Sequence, residues 1–275
     1  MKSGIALLVI FLLTATGSHA QNALEGIIIE KYYISDENDS KAEGAGYLPP
    51  GSVTYRIYID LATDCKLHAV YGVEGHDLII STTTAFFNHE MYGAVTSNEV
   101  LASTLMHNLV MLDSWLSVGA GASVYFALPK SKDDEKNTTK NNDGFLQNNH
   151  PDAGIPLKER DGLMYAYPQL AVNFYGIDDG LKSIFGKTNS RMQGQEFKTN
   201  NGSWACFGGA YGPDKENLVC IAQLTTDGEL YFELNIQLGK PDGTVENYVA
   251  RNPQGNEKVY PQLIFRSSSL KAGQN

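Results

Sequence analysis

Apolar and polar residues alternate along much of this chain, as they do in β-strands that bury one face. The alternation is clearest at 55–61, 67–73 and 230–238. Short gaps rich in glycine, proline and aspartate separate the apolar runs. About a dozen short strands with tight connections predict an all-β fold, an antiparallel β-sandwich of the jelly-roll type. The other expected strands are 25–34, 76–84, 109–118, 122–128, 169–177, 203–211, 217–226, 244–250 and 262–266.

One turn sets the expected register of two strands. Asp227-Gly228 is typical of a two-residue hairpin loop, since a type I′ turn requires positive φ at both central residues. If the flanking strands pair through this turn, Val219 and Ile221 face the core. Cys220 then lies on the opposite face of the sheet.

Two of the three cysteines lie in neighbouring predicted strands. A three-residue loop at 212–214 places Cys206 opposite Cys220 and turns Phe207 toward the core. This register predicts a disulfide between Cys206 and Cys220. Two unbridged cysteines are the alternative, because a change of one residue in loop length separates the sulfur atoms. Cys65 has no predicted partner and is expected to be buried.

A single short helix is expected. Thr96 and Glu99 have the spacing of a capping box, in which both side chains satisfy backbone N–H groups of the first turn. Leu101, Leu105 and Leu109 follow at four-residue intervals, so they define an apolar helix face. We expect this helix to cap one end of the sandwich.

The N-terminus has the pattern of an export signal. Lys2 precedes the apolar run 5–13, and small residues follow up to Ala20. Residues 1–20 are therefore expected to be a signal peptide and residues 21–275 a single β-sandwich domain.

Composition narrows the range of partners. The formal net charge is −10 and the basic residues are scattered, so the surface is expected to repel nucleic acid and anionic membranes. After the signal, no apolar stretch reaches the length of about 18 residues that a membrane span requires. Residues 131–161 are polar and rich in structure-breaking residues, which predicts a long surface loop.

The sequence contains none of the strong catalytic motifs. The serine-hydrolase elbow, the zinc-protease helix motif and the phosphate-binding loop are all missing. Their absence favours a protein that is not an enzyme. A secreted hydrolase is the alternative, because the paired carboxylates of a glycosidase can lie far apart in sequence.

The run 109–118 offers a candidate ligand platform. Alternation places Asp113 and Trp115 together, opposite the apolar side chains. An indole beside a carboxylate can hold a sugar ring, by stacking on its C–H face and by hydrogen bonds to its hydroxyls. Glu233, on a second polar face with Tyr231, completes the predicted ligand-binding set. Burial of Trp115 under the helix or the long loop is the alternative.

A polar segment near the N-terminus could bind calcium. Asp36, Asn38 and Ser40 alternate as the oxygen ligands of a calcium loop do. The segment has Lys41 where the helix-loop-helix calcium site needs glycine, and Tyr47 where it needs glutamate. A structural calcium ion is one interpretation and a solvated turn the other. No other cofactor is expected.

A family resemblance is carried by five stretches, at 54–62, 68–88, 112–120, 221–238 and 246–253. These stretches resemble an uncharacterised β-rich domain of exported surface proteins from bacteria with a type IX secretion system. The resemblance implies an extracellular or cell-surface location, but no established activity and no catalytic or binding residue. Larger members resemble adhesins anchored by a C-terminal sorting domain, which the polar C-terminus SSSLKAGQN is not expected to supply.

These features predict an exported, non-enzymatic β-sandwich that binds a glycan or a protein partner at the cell surface. The export signal, the strand pattern and the pair of Asp113 and Trp115 favour this function. The alternatives are a secreted polysaccharide hydrolase that uses paired carboxylates and a structural module of a surface assembly.

Overall fold

The computed structural model describes most of the chain and shows an all-β protein with seventeen strands and one short α-helix in its described part. The predicted signal peptide, residues 1–20, lies outside the described residues. The structure describes residues 22–107, 109–134, 138–139, 146, 150–165, 171–186 and 195–270. The elements are β1 (Leu24–Ile34), β2 (Val53–Leu61), β3 (Lys66–Gly72), β4 (Leu78–Thr82), β5 (Trp115–Leu116), β6 (Ala120–Ala122), β7 (Tyr125–Ala127), β8 (Leu163–Tyr165), β9 (Asn173–Tyr175), α1 (Asp179–Lys182), β10 (Glu196–Thr199), β11 (Gly202–Ala210), β12 (Leu218–Thr226), β13 (Leu230–Glu233), β14 (Asn235–Gly239), β15 (Val245–Val249), β16 (Lys258–Val259) and β17 (Ile264–Arg266).

The middle layer is a sheet with the strand order β1-β2-β12-β5, which we call the central sheet. All nine residues of β12 are buried, so this strand is covered on both of its faces. A strand that is covered on both faces needs apolar residues at consecutive positions rather than at alternate ones. This requirement explains the run LVCIA at the start of β12.

Two sheets that are joined by successive strands of the chain cover one face of the central sheet, and we call the pair the bent sheet. Its two halves have the orders β10-β4-β13-β17 and β16-β15-β14-β3-β11-β9. Successive strands join the halves, since β3 leads to β4, β10 to β11 and β13 to β14 through short connections. We call these parts the four-stranded half and the six-stranded half of the bent sheet.

A first core cluster fills the space between the central sheet and the bent sheet. It contains Ile57 and Val219 from the central sheet and Val70, Trp204 and Phe232 from the bent sheet, all fully buried. Apolar side chains that meet from two facing sheets form the core of a β-sandwich. The predicted sandwich is therefore confirmed.

A second cluster covers the other face of the central sheet. There Tyr58 and Cys220 of the central sheet pack with apolar residues of the turns between 87 and 112 and of a small sheet with the order β6-β7-β8. The central sheet is thus the middle of three layers. The sequence pattern predicted only two.

The predicted surface loop, residues 131–161, contributes to this third layer. Its described residues contain two 3₁₀ turns, Lys130–Lys132 and Pro151–Ala153, and no strand. Asp133, Leu157 and Asp161 are buried, so these parts of the segment pack on the protein. Residues 135–137, 140–145 and 147–149 of the loop lie outside the described residues.

The hairpin predicted at Asp227-Gly228 is wrong. The strand before it, β12, belongs to the central sheet, whereas β13 pairs with β4 and β17 in the bent sheet. Neither residue has the positive φ that a type I′ turn requires. A Cβ at Gly228 would lie 2.5 Å from the hydroxyl oxygen of Thr84 and 2.6 Å from that of Thr82. The turn is packed tightly against these threonines and carries the chain from one layer to the other.

The predicted disulfide between Cys206 and Cys220 is also wrong, because all three cysteines are free and buried. Cys206 lies in β11 and the first cluster, whereas Cys220 lies in β12 and faces the second cluster. The connection between these strands changes layer at Asn217, which has a φ of 54°. The Asn217 amide donates to the carbonyls of Ala62 and Cys65, each at 3.0 Å, and so holds the chain beside the central sheet.

The predicted direction of the side chains, toward the core or away from it, is confirmed for β12 and wrong for β11. Val219 and Ile221 belong to the first cluster, and Cys220 points the other way. Phe207, expected in the core, is 93% exposed, and its neighbour Cys206 faces inward instead. The two strands lie in different sheets, so the set of inward-pointing residues in one strand does not determine the set in the other.

The helix predicted after Thr96 is wrong, since this region forms 3₁₀ turns and α1 is the only α-helix in the described part of the chain. The Glu99 carboxylate accepts the Thr96 backbone N–H at 3.3 Å, as a capping box requires. The Leu101 carbonyl then accepts both the amide and the hydroxyl of Thr104, which favours a 3₁₀ turn over a continued helix. Among the described residues, no helix has the length and apolar character needed to cross a membrane.

Candidate functional site

The predicted platform residues, Asp113 and Trp115, lie inside the protein. Asp113 is 0% exposed and Trp115 is 1% exposed. Trp115 belongs to the two-residue strand β5, which pairs with β12, and its side chain packs in the second cluster. A sugar platform at these residues is therefore wrong. The face opposite the main core would be open to solvent in a two-layer protein, but here a third layer covers it.

The third predicted ligand-binding residue, Glu233, lies in a different layer. It belongs to β13 of the bent sheet, where its carboxylate accepts from Arg251 Nε at 2.9 Å and from the Tyr231 hydroxyl at 3.0 Å. The three predicted residues therefore do not border one pocket.

The predicted calcium ligands form a hydrogen-bonded turn. Asp36 Oδ1 accepts the backbone N–H groups of Asn38 and Asp39 at 2.8 and 3.2 Å, and Ser40 Oγ donates to the Glu37 carbonyl at 2.9 Å. Such bonds are typical of an Asx turn. Among the described residues, no group of three or more His, Cys, Asp or Glu side chains is arranged to hold a metal ion. Calcium binding stays an untested prediction.

Asp113 anchors a loop that forms one wall of a surface cleft. Its Oδ1 accepts the backbone N–H of His89 at 2.7 Å, and its Oδ2 accepts that of Ala94 at 2.9 Å. A Cβ at Gly93 would lie 2.5 Å from the His89 carbonyl oxygen, so the tight path of the loop requires glycine there. Burial raises the pKa of Asp113 to about 7, although hydrogen bonds from the backbone oppose the shift.

The cleft has a volume of about 410 Å³. This lies within the range of roughly 300 to 1,000 Å³ that is typical of ligand sites. Its lining is mostly apolar, and the residues that matter for recognition are Tyr92, Ala94, Val95, Glu99, Leu101 and Thr104.

The polar groups of the cleft are few. Glu99, an exposed side chain, is the one acidic residue among the described residues that line it. The Thr104 hydroxyl donates to the Leu101 carbonyl at 2.7 Å, so its hydrogen is already engaged. Leu101 itself is 58% exposed. A ligand would therefore meet an apolar surface with a single negative charge.

Aromatic rings stack beside the cleft. The ring centroid of Tyr92 lies 5.4 Å from that of His89 and 6.0 Å from that of His107. Met91 and Met106, next to these rings in sequence, are both exposed. Exposed apolar residues next to a concave surface are typical of a contact surface.

The neutral form of His89 holds Tyr92 in place. His89 Nδ1 accepts the backbone N–H groups of Met91 and Tyr92, each at 3.2 Å, so the ring proton must be on Nε2. Nε2 is buried and has no hydrogen-bond partner among the described residues. Burial, with a smaller contribution from His107, lowers the pKa of His89 to about 4.

These two shifted pKa values act in opposite directions on stability. An unfolded histidine has a pKa of about 6.5, so neutral His89 contributes stability that is complete above this pH and is lost as the pH falls to about 4. Asp113 contributes stability that is complete below about pH 4 and is lost as the pH rises through about 7. The wild-type protein should therefore show a small net slope between these pH values.

The variant His89→Asn separates the two contributions. Asparagine keeps an acceptor near the position of Nδ1 but does not titrate. The stability advantage of the wild type over this variant is expected to shrink by about 3 kcal/mol between pH 7 and pH 4, from a pKa difference of about 2.5. Urea unfolding of both proteins at each pH measures this change. A difference that stays constant with pH would show that His89 titrates normally.

The sequence did not identify Tyr92 as a site residue. The capping box predicted from the sequence did include Glu99, but it assigned this residue to the start of a helix and not to a cleft. The loop that carries Tyr92 is held on both sides of this residue by Asp113, which is distant in the sequence. A single local pattern could not have revealed the cleft.

No family model, curated protein or solved structure matches this chain. The functional assignment therefore depends on the chemistry of the surfaces of this molecule.

Proposed function

We propose that this chain is an exported, non-enzymatic binding protein that holds a protein partner at the cell surface through the cleft beside Tyr92. The main support is the mostly apolar cleft of about 410 Å³ that has one carboxylate, Glu99, in its described lining. A concave apolar site with few polar groups is the usual form of a binding pocket.

The preferred occupant is a basic side chain of the partner, next to an apolar residue. The protein has a net charge of −10, and Glu99 adds a local negative charge that would orient a cation. The methylene groups of lysine or arginine can pack along Leu101, and their charge can approach the Tyr92 ring. The flexible side chains of Met91 and Met106 can adapt to neighbouring apolar residues of the partner.

A peptide library tests this function. Short peptides that combine a basic residue with an adjacent apolar residue are expected to bind, as measured by fluorescence polarisation. Glu99→Lys should weaken their binding at least tenfold, because it places like charges together. Glu37→Lys is the matched control, since Glu37 is also exposed and lies outside the residues that line the cleft. Equal binding by the two variants, or no binding to the wild type, would contradict the proposal.

The hydrolase alternative has less support. Paired catalytic carboxyl groups lie roughly 5 to 9.5 Å apart on either side of the substrate. Glu99 has no second acidic side chain beside it among the described residues of the cleft lining. A purely structural module needs no concave site, and the cleft is the reason to prefer a binding function over it.

Export is part of the proposed function. When the full chain is produced in a bacterial host, the mature protein is expected to begin at Gln21 and to leave the cytoplasm. Mass spectrometry of the exported fraction measures the processed N-terminus. A chain that keeps Met1 and stays in the cytoplasm would contradict this part of the proposal and leave the peptide test unaffected.

A further inference from the structure

A row of uncharged side chains crosses the outer face of the six-stranded half. Val70, Trp204 and Ile236 of this half point into the first cluster. Phe174 and Tyr248 of the two flanking strands pack on the same cluster. Because side chains of a strand alternate between its two faces, the residues adjacent to these five point outward. Five such residues are cross-strand neighbours, and all are partly exposed. In order across the sheet they are Asn173, Ala205, Ala69, Gln237 and Asn247.

Two tyrosines flank a serine in the adjacent row. Ser203 pairs with Tyr71 on one side and with Tyr175 on the other, so the two tyrosine Cα atoms lie about 10 Å apart. Tyr175 is 56% exposed. The residues between the rings and the amides, Ser203, Ala205 and Ala69, are all small. These three small residues form a shallow area, which we call the floor, and longer side chains surround it.

The amide groups at one end are held in position. Gln237 Nε2 donates to Asn247 Oδ1 at 3.1 Å. This bond leaves the Gln237 carbonyl oxygen as an acceptor and the Asn247 amide nitrogen as a donor. Asn173, at the other end of the row, adds a third amide. Fixed donors and acceptors beside a flat floor are suited to hydroxyl groups of a ligand.

A third aromatic ring stands on the same face. Phe207, two residues after Ala205 on β11, is 93% exposed. It begins a bulge in which Gly208 and Gly209 have φ values of 81° and 80°. A Cβ at Gly209 would lie 2.8 Å from the Cβ of Lys66, so the bulge requires glycine there. The bulge thus presents a fully exposed ring beside the row.

The outer face of the six-stranded half differs in charge from the outer face of the four-stranded half. The two rows contain no charged side chain, and Lys66 lies beside them at the Phe207 bulge, where its Nζ donates to the Gly208 carbonyl at 3.4 Å. The outer face of the four-stranded half, in contrast, carries Glu196, Lys198, Glu233 and Arg266. In a protein with a net charge of −10, a neutral hydrogen-bonding surface complements a neutral ligand rather than a charged one.

We propose that the outer face of the six-stranded half binds a neutral polysaccharide. Sugar rings would stack on Tyr71, Tyr175 and Phe207, and their hydroxyls would bond to the amides of Gln237 and Asn247. Five strands at a spacing of about 4.8 Å make the amide row roughly 19 Å long, which suits an extended chain of sugars. This surface is separate from the cleft and does not depend on the function proposed for it.

Blocking the floor tests this surface. Ala205→Arg places a long side chain over the floor and removes nothing from the core, because Ala205 points outward. The matched control is Ser81→Arg, since Ser81 lies on the outer face of the four-stranded half and is also partly exposed. Affinity electrophoresis with soluble β-glucan, mannan, xylan and starch measures binding. At least one of these is expected to bind the wild type, with at least a tenfold loss for Ala205→Arg and less than a twofold loss for Ser81→Arg.

Three further variants test the polysaccharide surface without relying on the folding of Ala205→Arg. Tyr175→Ala and Phe207→Ser change exposed side chains and should each weaken binding severalfold, even if Ala205→Arg fails to fold. Glu99→Lys should leave polysaccharide binding unchanged, which separates this surface from the cleft. The proposal is overturned if none of the four polysaccharides binds the wild type, or if the folded Tyr175→Ala and Phe207→Ser variants bind like the wild type.

Discussion

Replacing Arg56 with methionine is expected to lower the free energy of unfolding by about 3–5 kcal/mol, the cost of removing one partner from a buried charged network. Arg56 is buried in β2, where Nε donates to Gln223 Oε1 at 2.8 Å and Nη1 donates to the Gly162 carbonyl at 3.0 Å. Its guanidinium carbon lies 3.5 Å from the centroid of the Tyr32 ring. Glu30 is its cross-strand neighbour and would lose the attraction of this positive charge.

Two further substitutions show the source of this effect. Lys158→Met removes an exposed positive charge and should change the free energy of unfolding by less than about 0.5 kcal/mol. Adding Glu30→Gln to Arg56→Met should restore part of the lost stability, because no carboxylate that has lost the Arg56 charge then remains beside the methionine. Urea unfolding measures all of these variants. A cost below about 1 kcal/mol for Arg56→Met would mean that the third layer does not enclose this side chain.

Replacing Asp113 with alanine is expected to cost about 3 kcal/mol, since each of two buried backbone N–H groups would lose its acceptor at about 1–3 kcal/mol. These groups belong to His89 and Ala94. Asp113→Asn keeps one acceptor oxygen and should lose about half as much. The loop that carries Tyr92 should also loosen, so hydrogen exchange at the amides of His89 and Ala94 should accelerate in the alanine variant.

Asp134→Ala is the matched control for this substitution, because Asp134 is exposed. It should leave both the free energy of unfolding and the exchange of the two amides unchanged within error. If Asp113→Ala behaved like Asp134→Ala, the anchoring of the cleft wall by a buried carboxylate would be wrong.

The individual strands could largely be predicted from the sequence. The bounds of β1, β2, β3 and β12 agree with the expected runs to within two residues. Alternation and turn residues are local signals, so they define strands well. Short strands without clear alternation, such as β8, β10 and β16, were missed.

The assignment of strands to sheets could not be predicted. Asp227-Gly228 has the composition of a hairpin turn, but Thr82 and Thr84, from another part of the chain, pack against it and no hairpin forms. Asn217 likewise directs the chain to another layer. Both errors arise because sheet partners are set by contacts between residues that are distant in the sequence.

The candidate site shows the same limit. The sequence singled out Asp113, which does belong to the site region but acts beneath the cleft as an anchor and not on its surface. Trp115 was selected as a stacking ring, yet it belongs to the central sheet and packs in the second cluster. The alternation of apolar and polar residues correctly placed both side chains on the face away from the first cluster. It could not show that a third layer covers this face, and their roles depend on that layer.

The central claim is that the central sheet is covered on both faces, and tryptophan fluorescence tests it most directly. The chain has two tryptophans, with Trp204 in the first cluster and Trp115 in the second. Acrylamide quenching of the native protein is expected to be severalfold weaker than quenching of the urea-unfolded protein, both in the wild type and in Trp204→Phe, which reports on Trp115 alone. Blue-shifted, poorly quenched emission from Trp115 is the predicted result. Emission from folded Trp204→Phe that acrylamide quenches as efficiently as in the unfolded chain would contradict the three-layer structure.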